Sequence, residues 1–500
     1  MSRRADGVTK YEVKGRAKGV LYTLLGIQII TAVVLLVTLL TSIMLPAKYI
    51  VAGIITEIIL VLFTCYMRKN RILCVISGVL SVVIIAIHCI GIYYVYKTNN
   101  ALDKITNHNV ELTNTIDVYV LKGDKAATIK DAADYSYVVA KGQDSEDHTK
   151  AIEHINKKAG KTINIADHLV FTEAIDSLYN KECKAIIIDR AYVDILDGIE
   201  EYKDFNKKTK CIYSYDVRYE EITEIETTAK KEDKKKKIDI TKDNFNVYIS
   251  GIDVEGSVSA KSRSDVNIIA SVNPKTHQIF LLSTPRDYYV PLSISGGSRD
   301  KLTHAGLYGV DVSRQTLEML YDTKIQYSIR MNFTGFRNII NALGGVDVYS
   351  EYNFSSKGHY YKEGYNSLDG EAALWFARER HAFSNGDNQR GKNQMEVIKA
   401  VFKKVQSPSI LNNYNSLLDS VADCMETSFT SEEISKFVNF QTENNIEWDV
   451  VNYSVTGFGS SQTTYTVPGK RAYVMSPDMN TVAEAKKMLK DMASDKKIEK

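Results

Sequence analysis

The sequence predicts an α/β protein: three membrane-spanning helices, a small α/β domain, and a larger second α/β domain. Three observations predict it. Long uncharged apolar runs are confined to roughly the first hundred residues. After them, short β-rich runs alternate with helical ones. A lysine-rich stretch, Thr227–Thr241 with KKEDKKKK, reads as a solvated linker that divides the remainder.

The apolar part comes first. Val20–Leu45 is long enough to cross a hydrocarbon layer of ~30 Å. Tyr49–Met67 and Ile72–Tyr96 are further spans, with one ionisable residue each, Glu57 and His88. A cleaved signal peptide fits poorly, because the first run is too long and no small-residue cleavage site follows. Arg3, Arg4, Lys10, Lys14, Arg16 and Lys18 precede the first span, and Arg68, Lys69 and Arg71 separate the second from the third. The first turn has only Lys48. The positive-inside rule therefore puts the N-terminal tail, residues 1–19, in the cytoplasm, and everything after Lys97 outside the cell. Glu57 and His88 each lie eight residues from the outer end of their run, so they should meet at one depth. A structural pair locking the hairpin is favoured over a functional one.

Composition narrows the class. The 500 residues allow about two to four domains. A net charge of +2 on 63 basic and 61 acidic residues argues against a nucleic-acid binder. Tyrosine outnumbers phenylalanine, 31 to 15, which suits polar, wet clefts. The six cysteines have no CxxC or Cys/His spacing, so zinc is not expected. Cys183 and Cys211 lie near predicted strands and could pair, although long chains with real cores rarely need a disulfide.

The first outer domain, residues 97–226, has strands at DVYVL, YSYVVA, AIIID and CIYSY and helices at Asp144–Lys158 and Ala166–Tyr179. It shows no catalytic constellation. A linker, 227–243, leads to the second domain, 244–490. There FNVYISGI, VNIIASV and HQIFLLS read as strands, with a turn at Asn273-Pro274-Lys275-Thr276. An antiparallel meander would bring Asp253, Asp265 and Arg286 to one edge of the sheet. Two carboxylates there repel each other unless a proton or a hard divalent ion intervenes. Loop capping is the competing explanation.

The stretch WFARERHAFSNGDNQRGKNQ, Trp375–Gln394, supplies more cations. A helix begins at Asp369-Gly370-Glu371, and Arg378 and Arg380 would diverge if it continued. If it ends after Ala377, both guanidiniums point one way. Met395, Ile398, Phe402 and Val405 mark the core face of a later helix. Arg390 and Gln394 share another face near its start. Arginine forks and a helix start both suit phosphate. A surface salt-bridge network would use the same residues.

These motifs recur in order. Gly251-Ile252-Asp253, Arg263-Ser264-Asp265, Pro285-Arg286-Asp287, Lys301-Leu302-Thr303-His304-Ala305, Leu343-Gly344-Gly345-Val346-Asp347, and Arg378-Glu379-Arg380 through Gly386-Asp387, Arg390 and Gln394 resemble the LytR-CpsA-Psr family over about Asn244–Gln406. The spans and the small domain resemble its capsule-type CpsA branch, in which that domain is accessory. The resemblance implies an α-β-α sandwich around a mixed sheet. It implies transfer of a glycopolymer, capsule or wall polysaccharide, from a polyprenyl-pyrophosphate carrier to peptidoglycan, outside the membrane of a Gram-positive cell. A muramic acid hydroxyl would attack and polyprenyl phosphate would leave.

By the same resemblance Asp253 and Asp265 hold Mg²⁺, with Mn²⁺ as the alternative. Arg286, Arg378, Arg380, Arg390 and Gln394 hold the pyrophosphate. Asp265, Arg263 and Asp387 belong to the catalytic group. Further partners are the bilayer and capsule-synthesis membrane proteins. Two departures stand out: Asn393, where the family often has arginine, and Tyr288-Tyr289 after Arg-Asp.

Phosphoryl transfer needs alignment and charge neutralisation more than covalent help. Asp265 or a metal-bound hydroxide would be the base. The stripe Phe333, Phe336, Ile339, Ile340 and Leu343 could line a slot for the carrier tail, or be plain core. The alternative function is a non-enzymatic membrane regulator or scaffold of capsule synthesis that binds lipid-linked glycan. A weaker third is a hydrolase. Towards the C-terminus, Ser409–Ser420, Ser431–Gln441 and Ala483–Ala493 read as helices and Thr463–Tyr473 as an edge strand carrying Pro468.

Overall fold

The structure is a computed structural model describing residues 2–41, 47–67, 71–106, 111–141, 145–220, 238–253, 258–405, 420 and 424–499. The chain forms two compact bodies, Met1–Thr106 with Phe429–Glu447, and Asn107–Ser428 with Trp448–Lys500.

The first body contains α1 (Ser2–Thr41), α2 (Ala47–Met67) and α3 (Arg71–Thr106). Gly19–Leu40, Lys48–Met67 and Val75–Thr106 are long and apolar enough to cross a membrane. Glycines let α1 and α3 approach closely, since a Cβ on Gly78 would lie 2.7 Å from Leu21 Cδ2. Three helices meet at one polar point. His88 Nε2 lies 3.0 Å from Glu57 Oε1, and His88 Nδ1 lies 2.9 Å from Thr31 Oγ1. The helix Ser431–Asn444, which the sequence places within 244–490, belongs to this body. Thr106 and Ser431 hydroxyls are 2.9 Å apart, and Lys48 reaches Glu443 at 3.6 Å.

The second body begins with a five-stranded sheet, in the order β3-β2-β4-β1-β5. Its strands are β1 (Glu111–Leu121), β2 (Ser136–Lys141), β3 (Asn164–Val170), β4 (Ala185–Asp189) and β5 (Thr209–Glu220). Helices α4 (Ser145–Ala159) and α5 (Phe171–Tyr179) pack on it, and α6 (Arg190–Val193) follows β4. The helix expected over Ala166–Tyr179 starts only at Phe171. Residues 166–170 belong to β3, whose parallel ladder with β2 outweighs the local apolar spacing. From Phe171 on, Phe171, Ala174, Ile175 and Leu178 form the buried face at helical spacing. Cys183 and Cys211 are free thiols.

The larger sheet has six strands in the order β16-β11-β6-β7-β8-β17. These are β6 (Phe245–Ile252), β7 (Ser264–Asn273) and β8 (Gln278–Ser283), then β11 (Tyr327–Asn332), β16 (Met425–Thr427) and β17 (Asp449–Ser454). β6, β7 and β8 form the antiparallel meander, while β11 and β17 run parallel to β6 and β8, so the sheet is mixed. Short hairpins complete the strands: β9 (Tyr289–Pro291) with β10 (Arg299–Lys301), β12 (Val346–Ser350) with β15 (Gly364–Leu368), β13 (Phe354–Ser356) with β14 (His359–Tyr361), and β18 (Gly457–Thr463) with β19 (Arg471–Pro477).

Helices lie in separate cores. Val310–Tyr321 and Met479–Ala493 share one with the sheet, through Leu317, Tyr321, Leu489 and Met492 against Tyr248, Ile269 and Phe280. The helices α7 (Phe333–Ala342), α8 (Gly370–Arg378) and α9 (Asp387–Val405) build another, around Ile340, Phe376 and Val397. Of the edge strand expected over Thr463–Tyr473, Thr463 ends β18 and Arg471–Tyr473 begin β19, while residues 464–470 form the turn between them. Pro468 lies in that turn, where a missing N–H breaks no ladder bond. Residues 227–237 and most of Ser409–Ser420 fall outside the described residues.

Candidate active site

The meander places three of the predicted side chains. Asp253 follows the end of β6, Asp265 is the second residue of β7, and Arg286 follows β8. Antiparallel pairing sets Ile252 opposite Ser264, and Ile268 opposite Ser283, so all three reach one rim. The rim borders a cleft of about 490 Å³. Asp253, Arg263, Asp265, Arg286, Arg378, Arg380, Arg390 and Gln394 all line it. Asp387 is not in the lining but forms an ion pair with Arg390.

The end of α8 aims the arginines. Arg378 is its last residue, and Glu379 is extended at φ −66°, ψ 131°. Glu379 Oε1 then accepts the backbone N–H groups of Arg380, His381 and Ala382 at 2.9, 2.7 and 3.0 Å. This fixed turn replaces the missing helical bonds and brings Arg378 and Arg380 to the same cleft. Arg390 and Gln394 enter from successive turns of α9. Asn393 points inward, donating to Phe376 O at 3.2 Å, so its departure from the usual arginine leaves the cleft wall unchanged. Tyr288 is likewise buried core, donating to Thr456 O at 2.6 Å.

Seven basic side chains and five carboxylates line the cleft, a surplus of positive charge. Asp265 Oδ2 is 2.7 Å from Arg286 NH1, and Thr303 Oγ1 donates to Asp265 Oδ1 at 3.1 Å. Burial would raise the Asp265 carboxyl, but Arg286, Arg263 and Arg390 outweigh it and hold the group well below the usual range. Such a carboxylate suits holding charge better than taking a proton. Asp253 behaves oppositely. Burial raises it, the charge of Asp265 adds, and Arg378, at 3.1 Å, only partly compensates. Burial presses the Arg390 guanidinium downward, with Arg286 and Arg380 adding repulsion. The cleft thus keeps a surplus of positive charge beyond its ion pairs, which an anion would relieve.

Asp253 and Asp265 are the residues that would hold a hard divalent cation here. Asp253 and Asp265 share one wall, and their mutual repulsion is the kind of cost that Mg²⁺ removes. Among the described residues no group of three or more His, Cys, Asp or Glu could hold a metal, so phosphate oxygens and water would complete the shell.

An apolar slot of about 300 Å³ adjoins the cleft, and Val266, Phe333, Arg378 and Gln394 line both. Phe336, Ile339 and Ile340 face it, whereas Leu343 belongs to the helix core. The face expected to be core on α9 divides: Met395 is buried, but Ile398, Phe402 and Val405 line the slot.

Sequence reasoning missed several cleft residues. Lys301 pairs with Asp287 at 3.2 Å and Thr303 bonds Asp265, yet both were visible only as parts of motifs without roles. Arg378 lies over Phe333 at 4.4 Å and Trp375 at 5.2 Å. A tryptophan three residues before an arginine in a helix was the available signal. Tyr473, from β19, offered none.

A mixed sheet between helix layers, with a cationic cleft opening into an apolar slot, defines a domain shaped for a ligand with an anionic head and an apolar tail. The LytR_cpsA_psr family model matches residues 212–487, more than half of the sequence, and the chain belongs to this family. A model for a DNA polymerase processivity factor matches residues 68–188, too small a share to show a family.

Among relatives, the polyisoprenyl-teichoic acid–peptidoglycan teichoic acid transferase TagU of Enterococcus faecalis is 36% identical over 198 residues, 39% of this chain and 65% of that protein. TagU of Bacillus mycoides is 35% identical over 190 residues, 38% and 62% respectively. The chain thus spans under two thirds of the length of these relatives. TagT of B. subtilis is 27% identical over 52% of this chain and 95% of its own, with a TM-score of 0.41. A TM-score of this size adds nothing to the family assignment.

Proposed function

We propose that this chain is a membrane-anchored phosphotransferase that moves a glycopolymer, of capsule or wall type, from a polyprenyl-pyrophosphate carrier to peptidoglycan. The observation that carries the reading is the continuity of cleft and slot through Val266, Phe333, Arg378 and Gln394. The carrier has the same division, a pyrophosphate joined to an apolar tail. The names of the TagU relatives support transfer to peptidoglycan.

In this reading Arg286, Arg378, Arg380 and Arg390 grip the pyrophosphate oxygens, and Gln394 holds the junction with the tail. Phe336, Ile339 and Ile398 keep the prenyl chain dry. Asp387 orients Arg390, and Arg286 with Arg263 holds Asp265 ionised. Mg²⁺, when bound by Asp253 and Asp265, would neutralise phosphate charge. The acceptor hydroxyl oxygen forms a bond to the phosphorus carrying the glycopolymer, the bond to the bridging oxygen breaks, polyprenyl phosphate leaves, and the hydroxyl proton passes to solvent. The basic N-terminal tail is cytoplasmic and the reaction is external.

The test is full-length protein in detergent with a polyprenyl-pyrophosphoryl oligosaccharide, Mg²⁺ and peptidoglycan fragments, read by mass spectrometry. The expected product is a glycan joined to peptidoglycan through a phosphodiester, with Arg378→Ala slower on the order of 10²–10³-fold. Sugar phosphate released at the same rate without acceptor would make the chain a hydrolase. Tight carrier binding without any product would leave only a scaffold.

A further inference from the structure

The cleft has one wall that the family domain does not supply. Ile195, Asp197 and Gly198 line it. They lie on the turn after α6, in the small first domain, and the family model begins only at residue 212. This wall is fixed in place. Thr113 N–H donates to Ser259 O at 3.1 Å, and Lys261 N–H donates to Thr113 O at 3.0 Å, tying the small sheet to the larger domain. Lys261 Nζ lies 2.9 Å from Asp189 Oδ2, and Asp189 also caps α6 by accepting Ala191 N–H at 2.8 Å. Leu307 and Val467, from the larger domain, are buried in the core of the small one. These contacts seat the elements on either side of the turn against the larger domain.

The chemistry of the wall differs from the opposite side. Arg286, Arg378, Arg380 and Arg390 attract phosphate, whereas an exposed carboxylate at Asp197 repels it. A carboxylate is an acceptor-only group, matched by hydroxyl donors. Sugars offer those in excess. Gly198 leaves room beside it, since an added Cβ would be 3.5 Å from Lys301 Nζ and touch little else.

We propose that the Ile195–Gly198 turn is the acceptor wall of the transfer site, and that Asp197 is a positioning residue whose carboxylate accepts a hydrogen bond from a hydroxyl of the acceptor glycan. The proposal rests on the transferase reading. It gives the small domain a role in choosing the acceptor.

The experiment uses the full chain in detergent with a polyprenyl-pyrophosphoryl disaccharide as donor and graded peptidoglycan fragments as acceptor. Asp197→Ala should raise the acceptor KM about ten- to a hundredfold, the loss of a hydrogen bond to a charged group. Its kcat at saturating acceptor and its affinity for prenyl pyrophosphate should change less than about threefold. Asp197→Asn, which keeps an accepting oxygen, should recover part of the loss. Gly198→Val, crowding the same wall, should also raise acceptor KM while leaving donor affinity intact. An unchanged acceptor KM in Asp197→Ala, with active wild type, overturns the wall alone. Equal losses in donor and acceptor binding overturn it too. A wild type that binds prenyl pyrophosphate but transfers nothing overturns both readings.

Discussion

Replacing Asp265 by Asn removes one charge from the centre of the guanidinium cluster and keeps its shape. The carboxylate faces Arg286 at 2.7 Å, and it is buried. Removing one partner of a buried pair typically costs about 3–5 kcal/mol. A Coulomb figure for unit charges ~4 Å apart at an effective dielectric of 20 is ~4 kcal/mol. Asp287 remains 3.7 Å from Arg286 Nε, so the lower end, ~3 kcal/mol, applies. Because the folded-state pKa of Asp265 is depressed, its contribution is present above the unfolded value near ~4 and fades as pH falls toward the folded value. Thermal unfolding of the full chain in detergent should therefore show Asp265→Asn melting below wild type at pH 7, with the gap narrowing toward pH 3. Inorganic pyrophosphate without metal should raise the variant's midpoint more than the wild type's, since the anion restores the missing charge. Mg²⁺ with pyrophosphate should favour the wild type. Equal midpoints at pH 7, or pyrophosphate stabilising the wild type more in the absence of metal, would refute the reasoning.

Three other outcomes follow from the geometry. Ile398→Trp fills the slot, and excluding even two methylenes at ~0.8 kcal/mol each should weaken long-chain prenyl pyrophosphate about tenfold while inorganic pyrophosphate binds as before, by calorimetry. Gly370→Ala places a Cβ 2.2 Å from the backbone Arg337 O, so α8 must shift, costing about 1–3 kcal/mol in denaturant midpoint. Burial pushes Asp194 up to about 6, so folding stability should fall by about 2 kcal/mol as pH rises from 4 to 6, a slope that Asp194→Asn abolishes.

The parts of this fold that could be read in the sequence are those with local cause. Asn273 accepts from the Lys275 and Thr276 N–H groups, so the turn signal and the meander follow from a few consecutive residues. The convergence of Asp253, Asp265 and Arg286 then needs only strand direction. The end of α8 was legible for a similar reason, because two arginines two apart can share a cleft only if the helix stops. What escaped depends on distant pairing. β3 is an edge strand with largely exposed side chains, and its ladder to β2 is invisible to a helical period. The β18–β19 hairpin likewise reassigns the residues around Pro468. Asp197 had no motif at all, because its significance comes from a domain interface.

The apolar stripes carry the same lesson further. Periodicity on α7 and α9 says that one face must be hidden from water, not what hides it. Val397 and Ala400 are covered by the neighbouring helices, and Leu343 by the same core. Ile398, Phe402 and Val405, on the same helix as Val397, border a slot instead. A helix that buries one apolar edge and leaves the next facing a cavity retains hydrophobic surface that only an apolar ligand can cover. Arg378 stands at the slot's mouth, over Phe333, so a negative charge at one end of that ligand would meet a cation. A ligand with both parts would be held twice by this domain, once by the apolar slot and once by the surplus of cations in the cleft. Filling the first with Ile398→Trp and altering the second with Asp265→Asn should move binding of tail and head independently. Coupled changes would mean that cleft and slot do not hold one molecule.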